Sequence, residues 1–396
     1  MRTTTDLVVL GAGPAGSMLA WLAARAGLTV VVLERDRFPR DKVCGEFVSS
    51  EGAATLARVG ALDPLLDRGA VWIDRFRLSD PRGRQLDAKL PALAGLDGRG
   101  LGVSRALLDA ALAERAVAAG ARLVERATAL APVVDSAGRV RGVRYREAGR
   151  SGACELSATV VAACDGRRSS LVRALHPRLG DPRTTGPGSI YGLKAHLEGT
   201  VPRLDGAVEL HPFRGGYLGL SHVEGRRVNL ALVVTKRALR EHGGDPERLL
   251  RERLVNNPAV AEAVASRPTA GPWKSVGPLR FGIRKPSASG ALFLGDAAGT
   301  IDPVSGEGMS HALLSAELAT PFAIRAAAGG ELSAADAAAY DRAWRRAFAA
   351  SMRRNRVLGR LLEGPWTSLA GLTVIGSLPG PAVPWLVRAS RTGAHS

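Results

Sequence analysis

The stretch RDKVCGEF (40–47) sets a thiol and a carboxylate two residues apart among basic neighbours. Cys44, close to Arg40 and Lys42, is eligible as a redox or proton-relay group, because nearby cations lower a thiol pKa. Its alternative role is a small apolar filler in a cavity wall. Glu46 is eligible as a general acid or base. Tyr217, in YLGLSH (217–222), offers a hydroxyl that could orient a substrate, while His222 and His311 read as ordinary polar positions. The three cysteines, Cys44, Cys154 and Cys164, are odd in number and scattered. They predict neither a disulfide framework nor a metal site, and make a reducing cytoplasm the expected compartment.

Such groups need a scaffold, and residues 6–34, DLVVLGAGPAGSMLAWLAARAGLTVVVLE, supply its first unit. Leu7–Leu10 and Thr29–Leu33 are apolar runs suited to buried parallel strands, with an amphipathic helix between them. Gly11, Gly13 and Gly16 complete G-x-G-x-x-G: a tight turn, a close approach for a pyrophosphate, and close helix–strand packing. The helix N-terminus, opening through Ala15, faces the phosphates with unpaired N–H groups. Glu34, with Arg35 beside it, ends the second strand where a carboxylate can accept from both ribose hydroxyls of an adenosine. Dinucleotide binding follows from this order of parts, which by itself does not choose between NAD and FAD. Two further acids stand at strand ends: Asp165-Gly166 in VVAACDGRRSSLVR (160–173), and Gly295-Asp296 in ALFLGDAAGTIDPVSGEGM (291–309).

Together the three motifs resemble the FAD-dependent oxidoreductases of the para-hydroxybenzoate hydroxylase superfamily, over most of residues 5–325. The resemblance implies that the first motif holds the ADP half of FAD, that Asp165 lies near the pyrophosphate, and that Asp296 bonds the ribityl chain. It also implies that Arg105, at the start of a helix in GVSRALLDAALAERA, reaches the cofactor. The turn through Pro303 and Gly306, and the helix opening at Gly308-Met309, would point an N-terminus at the flavin ring, where reduction places negative charge. PRDKVCGEF together with GDAAG…DPVSGEGM looks most like the geranylgeranyl-reductase branch, which implies that Cys44 and Gly45 line the flavin and that Glu46 faces the cavity. One departure stands out. YLGLSH occupies the place of the Y-x-W-x-F-P stretch of the prenyl reductases, so the tyrosine survives and the aromatics and proline do not.

The expected fold class is α/β: a Rossmann-type FAD-binding domain with an inserted antiparallel β-sheet substrate domain (α+β) and a helical C-terminal tail. The FAD-binding domain is expected over 1–69, 100–180 and 276–330, and the substrate domain over 70–99 and 181–275, with a helix near 246–265. A helical cap is expected over 331–396. The apolar tail WTSLAGLTVIGSLPGPAVPWLV carries three prolines and does not read as a spanning helix. It reads as a cap, or as a contact for a membrane surface or a hydrophobic carrier protein. The net charge of +17 is arginine-dominated, with lysine only at 42, 89, 194, 236, 274 and 285. With no dense basic tract and few aromatics, it argues against nucleic acid and favours anionic partners such as dinucleotides, acidic carrier proteins or lipid head groups.

The expected substrate is a hydrophobic small molecule, polyketide, terpenoid or quinone-like. NAD(P)H-driven monooxygenation through a flavin hydroperoxide reads slightly ahead of reduction of carbon–carbon double bonds. A flavoprotein that only relays electrons is the reading from another class. With no second G-x-G-x-x-G unit, NAD(P)H is expected to dock transiently.

Overall fold

The computed structural model describes residues 5–363, apart from 80–82, 84, 91, 93–97, 178–185, 255 and 265–267. A mixed α/β architecture results, carried by two large sheets. In the first, five parallel strands run in the spatial order Ala291–Phe293, Cys154–Ala163, Thr5–Leu10, Val30–Leu33 and Arg122–Val124. Continuous apolar runs suit a sheet covered on both faces, and Leu7, Val8, Val9 and Val161 are completely buried. Helices Pro14–Arg25, Arg105–Ala118 and Gly308–Gly329 pack around this sheet. An antiparallel flap, Ala127–Val134 with Val140–Glu147, extends from Cys154–Ala163.

The second sheet orders Lys274–Leu279, Ile190–Glu198, Arg227–Thr235, Gly216–Val223, Ala207–Phe213, Arg75–Ser79 and Gln85–Lys89. Its residues alternate between faces, as strand geometry requires. One face presents Leu210, Tyr217 and Val233 beside Phe76, Leu279 and Phe281. The other face buries Leu218, Leu220, Leu230 and Leu232 against Leu249, Leu250, Leu254 and Val260 of the covering helices.

Three local expectations are corrected. The strand Val71–Ile73 pairs with Gly100–Gly102, itself paired with Phe47–Val48, in a separate small sheet. The boundary drawn at 275/276 falls inside the strand Lys274–Leu279. The helix expected near 246–265 is two helices, Pro246–Leu254 and Pro258–Val264. Proline opens a helix but cannot continue one, and the Asn257 side chain accepts from Ala259 N at 3.0 Å to cap the second.

The cap expected over 331–396 is described only as far as 363; residues 364–396 lie outside the described residues. The helix Ala334–Glu363 buries Tyr340, Trp344, Phe348 and Met352 in the main core. His311 meets the Trp344 and Phe348 rings edge-on, with centroids 5.6 and 4.4 Å away. Both its ring nitrogens are buried without a hydrogen-bond partner among the described residues. Burial pushes His311 down to about 4. Between this value and the ordinary 6.5, the unfolded chain takes up a proton that the folded chain refuses. Stability therefore falls as pH drops from 6.5 to 4, and levels off below. The expected loss is roughly 3 kcal/mol. Urea unfolding of wild type and His311→Leu at pH 7 and pH 4.5 should show a smaller acid loss in the variant.

Candidate functional site

A cleft of about 610 Å3 runs between the parallel sheet and the apolar face of the second sheet. Of the candidate catalytic and cofactor-binding residues named from the sequence, all but Gly16 line it. A Cβ on Gly16 would run into the carbonyl oxygen of Gly11, so this glycine serves the helix-to-loop packing. Gly11 turns the chain at φ +92°, and a Cβ there would lie 2.8 Å from the Cys164 carbonyl oxygen. Neither conformation nor crowding explains Gly45 or Gly308. Neither has a positive φ, and no protein atom lies within 4 Å of where a Cβ would stand. At Gly13, likewise without positive φ, a Cβ would meet only a guanidinium nitrogen of Arg105 at 3.6 Å. Glycine at open positions facing a cleft is what a flat or charged ligand lying on backbone requires.

The acids divide in their capacity for a ligand. Asp165 Oδ2 accepts from Ser170 N at 3.0 Å, whereas its Oδ1 is buried with no partner among the described residues. A buried acceptor left unmatched is costly, and a hydroxyl or water held in the cleft would satisfy it. Burial raises the pKa of Asp165, against hydrogen bonds from Ser169 and Ser170. Burial likewise raises Asp296, against the pull of Arg284, Arg105 and Arg167. Glu34 is more engaged than its strand-end position implies: Oε2 accepts from Ala12 N (2.8 Å) and Arg40 (3.1 Å), and Oε1 from Asp36 N (3.0 Å). Room for a ribose hydroxyl therefore remains chiefly on Oε1. Arg35 lines the cleft nearby and leans on Asp36 at 3.4 Å. Arg105 is held by Asp109 at 2.9 and 2.7 Å, in the first turn of its helix. Pro303, Gly306 and Met309 close the far end, where Gly306 adopts φ +69° against the Phe47 ring.

The CGEF loop differs from its sequence reading. Glu46 has no exposed surface, and both oxygens are occupied. Oε1 accepts from Lys194 Nζ at 2.5 Å and from Arg105 N at 2.8 Å; Oε2 meets His196 Nε2 at 2.6 Å. Lys194 also pairs with Asp41, which Lys274 reaches at 2.9 Å. Glu46 is therefore a clamp joining the loop to the second sheet, and not a side chain presented to a substrate. Asn229 adds a hydrogen bond to the Cys44 carbonyl at 3.3 Å. Sequence reasoning missed Lys194 and His196. Their signal is faint: K-A-H within a strand puts two polar side chains on one face of an otherwise apolar segment.

Cys44 is thereby fixed where the glycine cradle meets the apolar sheet face. Burial pushes its thiol pKa up, against the lowering pull of Arg105, so the thiol keeps its proton at neutral pH. The sequence expectation of a lowered pKa is reversed, because Lys42 turns to Asp36 and Arg40 to Glu34 and Asp109. Tyr217 is buried in the sheet wall of the cleft. His222 is structural: it accepts from Val201 N at 3.0 Å and lies 3.2 Å from Asp205. Among the described residues, no cluster of side chains could hold a metal ion.

Comparison with known proteins matches residues 4–352 to the FAD binding domain family. A digeranylgeranylglycerophospholipid reductase of Methanopyrus kandleri is 30% identical, across 87% of this chain and 83% of that protein. A menaquinone reductase of Mycolicibacterium smegmatis is 31% identical, across 81% and 77%. Among solved structures, PqsL, a probable FAD-dependent monooxygenase from Pseudomonas aeruginosa, superposes with a TM-score of 0.74 at 20% identity. It covers 94% of this chain and 100% of that one.

Proposed function

The chain belongs to the FAD binding domain family, and from that membership we propose that it is an FAD-dependent reductase of carbon–carbon double bonds in a long apolar, isoprenoid-type substrate. The observation that carries this reading is the place of Cys44 in the cleft wall, between the glycine cradle and an apolar wall, where burial holds its thiol pKa up. FAD, bound along that cradle, supplies hydride once reduced. Gly13, Gly45 and Gly308 give it backbone to lie on; Asp165, Asp296 and Glu34 offer acceptors for its hydroxyls. Phe76, Leu210, Tyr217, Val233, Leu279 and Phe281 make the opposite wall, which takes hydrocarbon and excludes water.

A double bond gaining hydride at one carbon needs a proton at the other. Glu46 cannot deliver one while Lys194, His196 and Arg105 occupy its oxygens, so Cys44 is the donor, with solvent restoring its proton. Two relatives, 30% and 31% identical, carry reductase names, one for an isoprenoid lipid and one for a quinone, and these names support putting reduction ahead of monooxygenation. The missing aromatics of YLGLSH fit a wall widened at Gly219 for a substrate of another shape. NAD(P)H, docking from outside, is the proposed reductant, since the chain carries one strand–G-x-G-x-x-G–helix unit.

Cys44→Ala is expected to retain FAD and to reduce an isoprenoid quinone about 10²- to 10⁴-fold more slowly, the usual worth of a placed proton donor. Cys44→Ser should fall between. Steady-state turnover under argon, normalised to bound FAD, checks this; equal rates in all three proteins would remove Cys44 from the chemistry.

A further inference from the structure

The helix Ala334–Glu363 has two faces of opposite character. Tyr340, Trp344, Phe348, Ser351, Met352 and Asn355 are buried against the core. Arg342, Arg345, Arg346, Arg353 and Arg360 are exposed, and none makes an ion pair or hydrogen bond among the described residues. At 100° per residue, 342, 346, 353 and 360 fall within about 40° of one another and 345 about 60° to one side. They form one stripe about 27 Å long at 1.5 Å per residue. Elsewhere, surface arginines such as Arg75, Arg141, Arg237 and Arg248 sit against carboxylates. No Asp or Glu occurs between Asp341 and Glu363, so the length of helix that carries the stripe holds no acid of its own between those ends.

Near the stripe's end, the opposite side of the helix packs on the cleft, where Leu358 joins the apolar cluster of Tyr217, Val233 and Val304; Arg356 lies over the Phe281 ring at 5.1 Å. Exposed Val357 adds an apolar side chain at the same end. A line of arginines with an apolar end fits a flat anionic surface with hydrocarbon beneath it. We propose that this arginine stripe docks the protein on an anionic lipid bilayer, with exposed Val357 set against the lipid and the cleft end beside Leu358 about one helix diameter behind it. The substrate's route to the cleft rests on the reductase reading; the docking itself does not.

The test is flotation of the FAD-loaded full chain with phosphatidylglycerol-containing and with pure phosphatidylcholine vesicles, at two salt concentrations. Wild type should prefer the anionic vesicles and be released by salt. R342Q/R345Q/R346Q/R353Q/R360Q should lose at least 100-fold in affinity, at about fivefold per arginine. The matching five-lysine variant should bind like wild type, which separates charge from any damage to the helix. Turnover of detergent-dispersed substrate should be unchanged in both, so that a failure of the docking and a failure of the reductase reading are told apart. Equal binding to both vesicle types, wild-type binding by the glutamine variant, or tighter binding to duplex DNA than to anionic vesicles would each overturn the proposal.

Discussion

Gly45→Val is expected to leave the chain as stable as wild type without cofactor, yet to weaken FAD binding about 10- to 100-fold, the scale of forcing extra carbon atoms into a filled contact. The two halves of this result come from one observation. Gly45 has ordinary backbone angles, and a Cβ there meets no protein atom within 4 Å. Were the residue glycine for the sake of the fold, valine would clash or strain, and urea unfolding of the apoprotein would report it. The space is instead open toward the cleft, so the penalty should appear only when FAD is titrated in and followed by flavin fluorescence. Gly52 is the contrasting control. A Cβ there would come within 2.6 Å of Val48 Cγ1 and 3.0 Å of Ser310 Cβ, so Gly52→Val should cost stability with or without FAD.

The second large effect falls on the clamp. Glu46→Gln should destabilise the protein by about 3 kcal/mol, the lower end of the cost of breaking a buried ion pair from one side. Asp41 continues to neutralise Lys194, which keeps the loss from being larger. Loosening the clamp also frees the loop that carries Cys44 and Gly45, so FAD should bind more weakly. The pH profile of turnover per bound FAD should nevertheless keep its shape, because Glu46 positions the loop and gives no proton to the substrate. A variant of wild-type stability with a displaced pH profile would return Glu46 to the role the sequence offered it. Chemical denaturation and the pH profile of kcat, measured on the same preparation, separate the two.

How much of this was legible in the sequence follows the distance over which each feature is encoded. The cradle is local: Leu7–Leu10, the three glycines, one helix and Glu34 arrive within 29 residues, so period and spacing reveal it. Asp165 and Asp296 are legible for the same reason, each ending an apolar strand. The clamp is not local. Glu46 and Lys194 are 148 residues apart, and apart from His196 and the terminal Glu198 the strand around Lys194 reads as ordinary core. Cys44 was misjudged on the same ground. Proximity in sequence put Arg40 and Lys42 beside it, while folding gave both cations to carboxylates elsewhere. The sheet membership of Val71–Ile73 depends on which distant strand reaches it first, and its three apolar residues would suit either sheet.

What the cleft does to a double bond separates reduction from oxygen chemistry. The direct measurement is product mass after incubating the FAD-loaded protein with NADPH and an isoprenoid quinone or lipid, in parallel with and without oxygen. Two hydrogens gained per double bond, at the same rate under argon as in air, is the predicted result. A product heavier by one oxygen atom, formed only in air, would contradict it and establish monooxygenation in the same cleft.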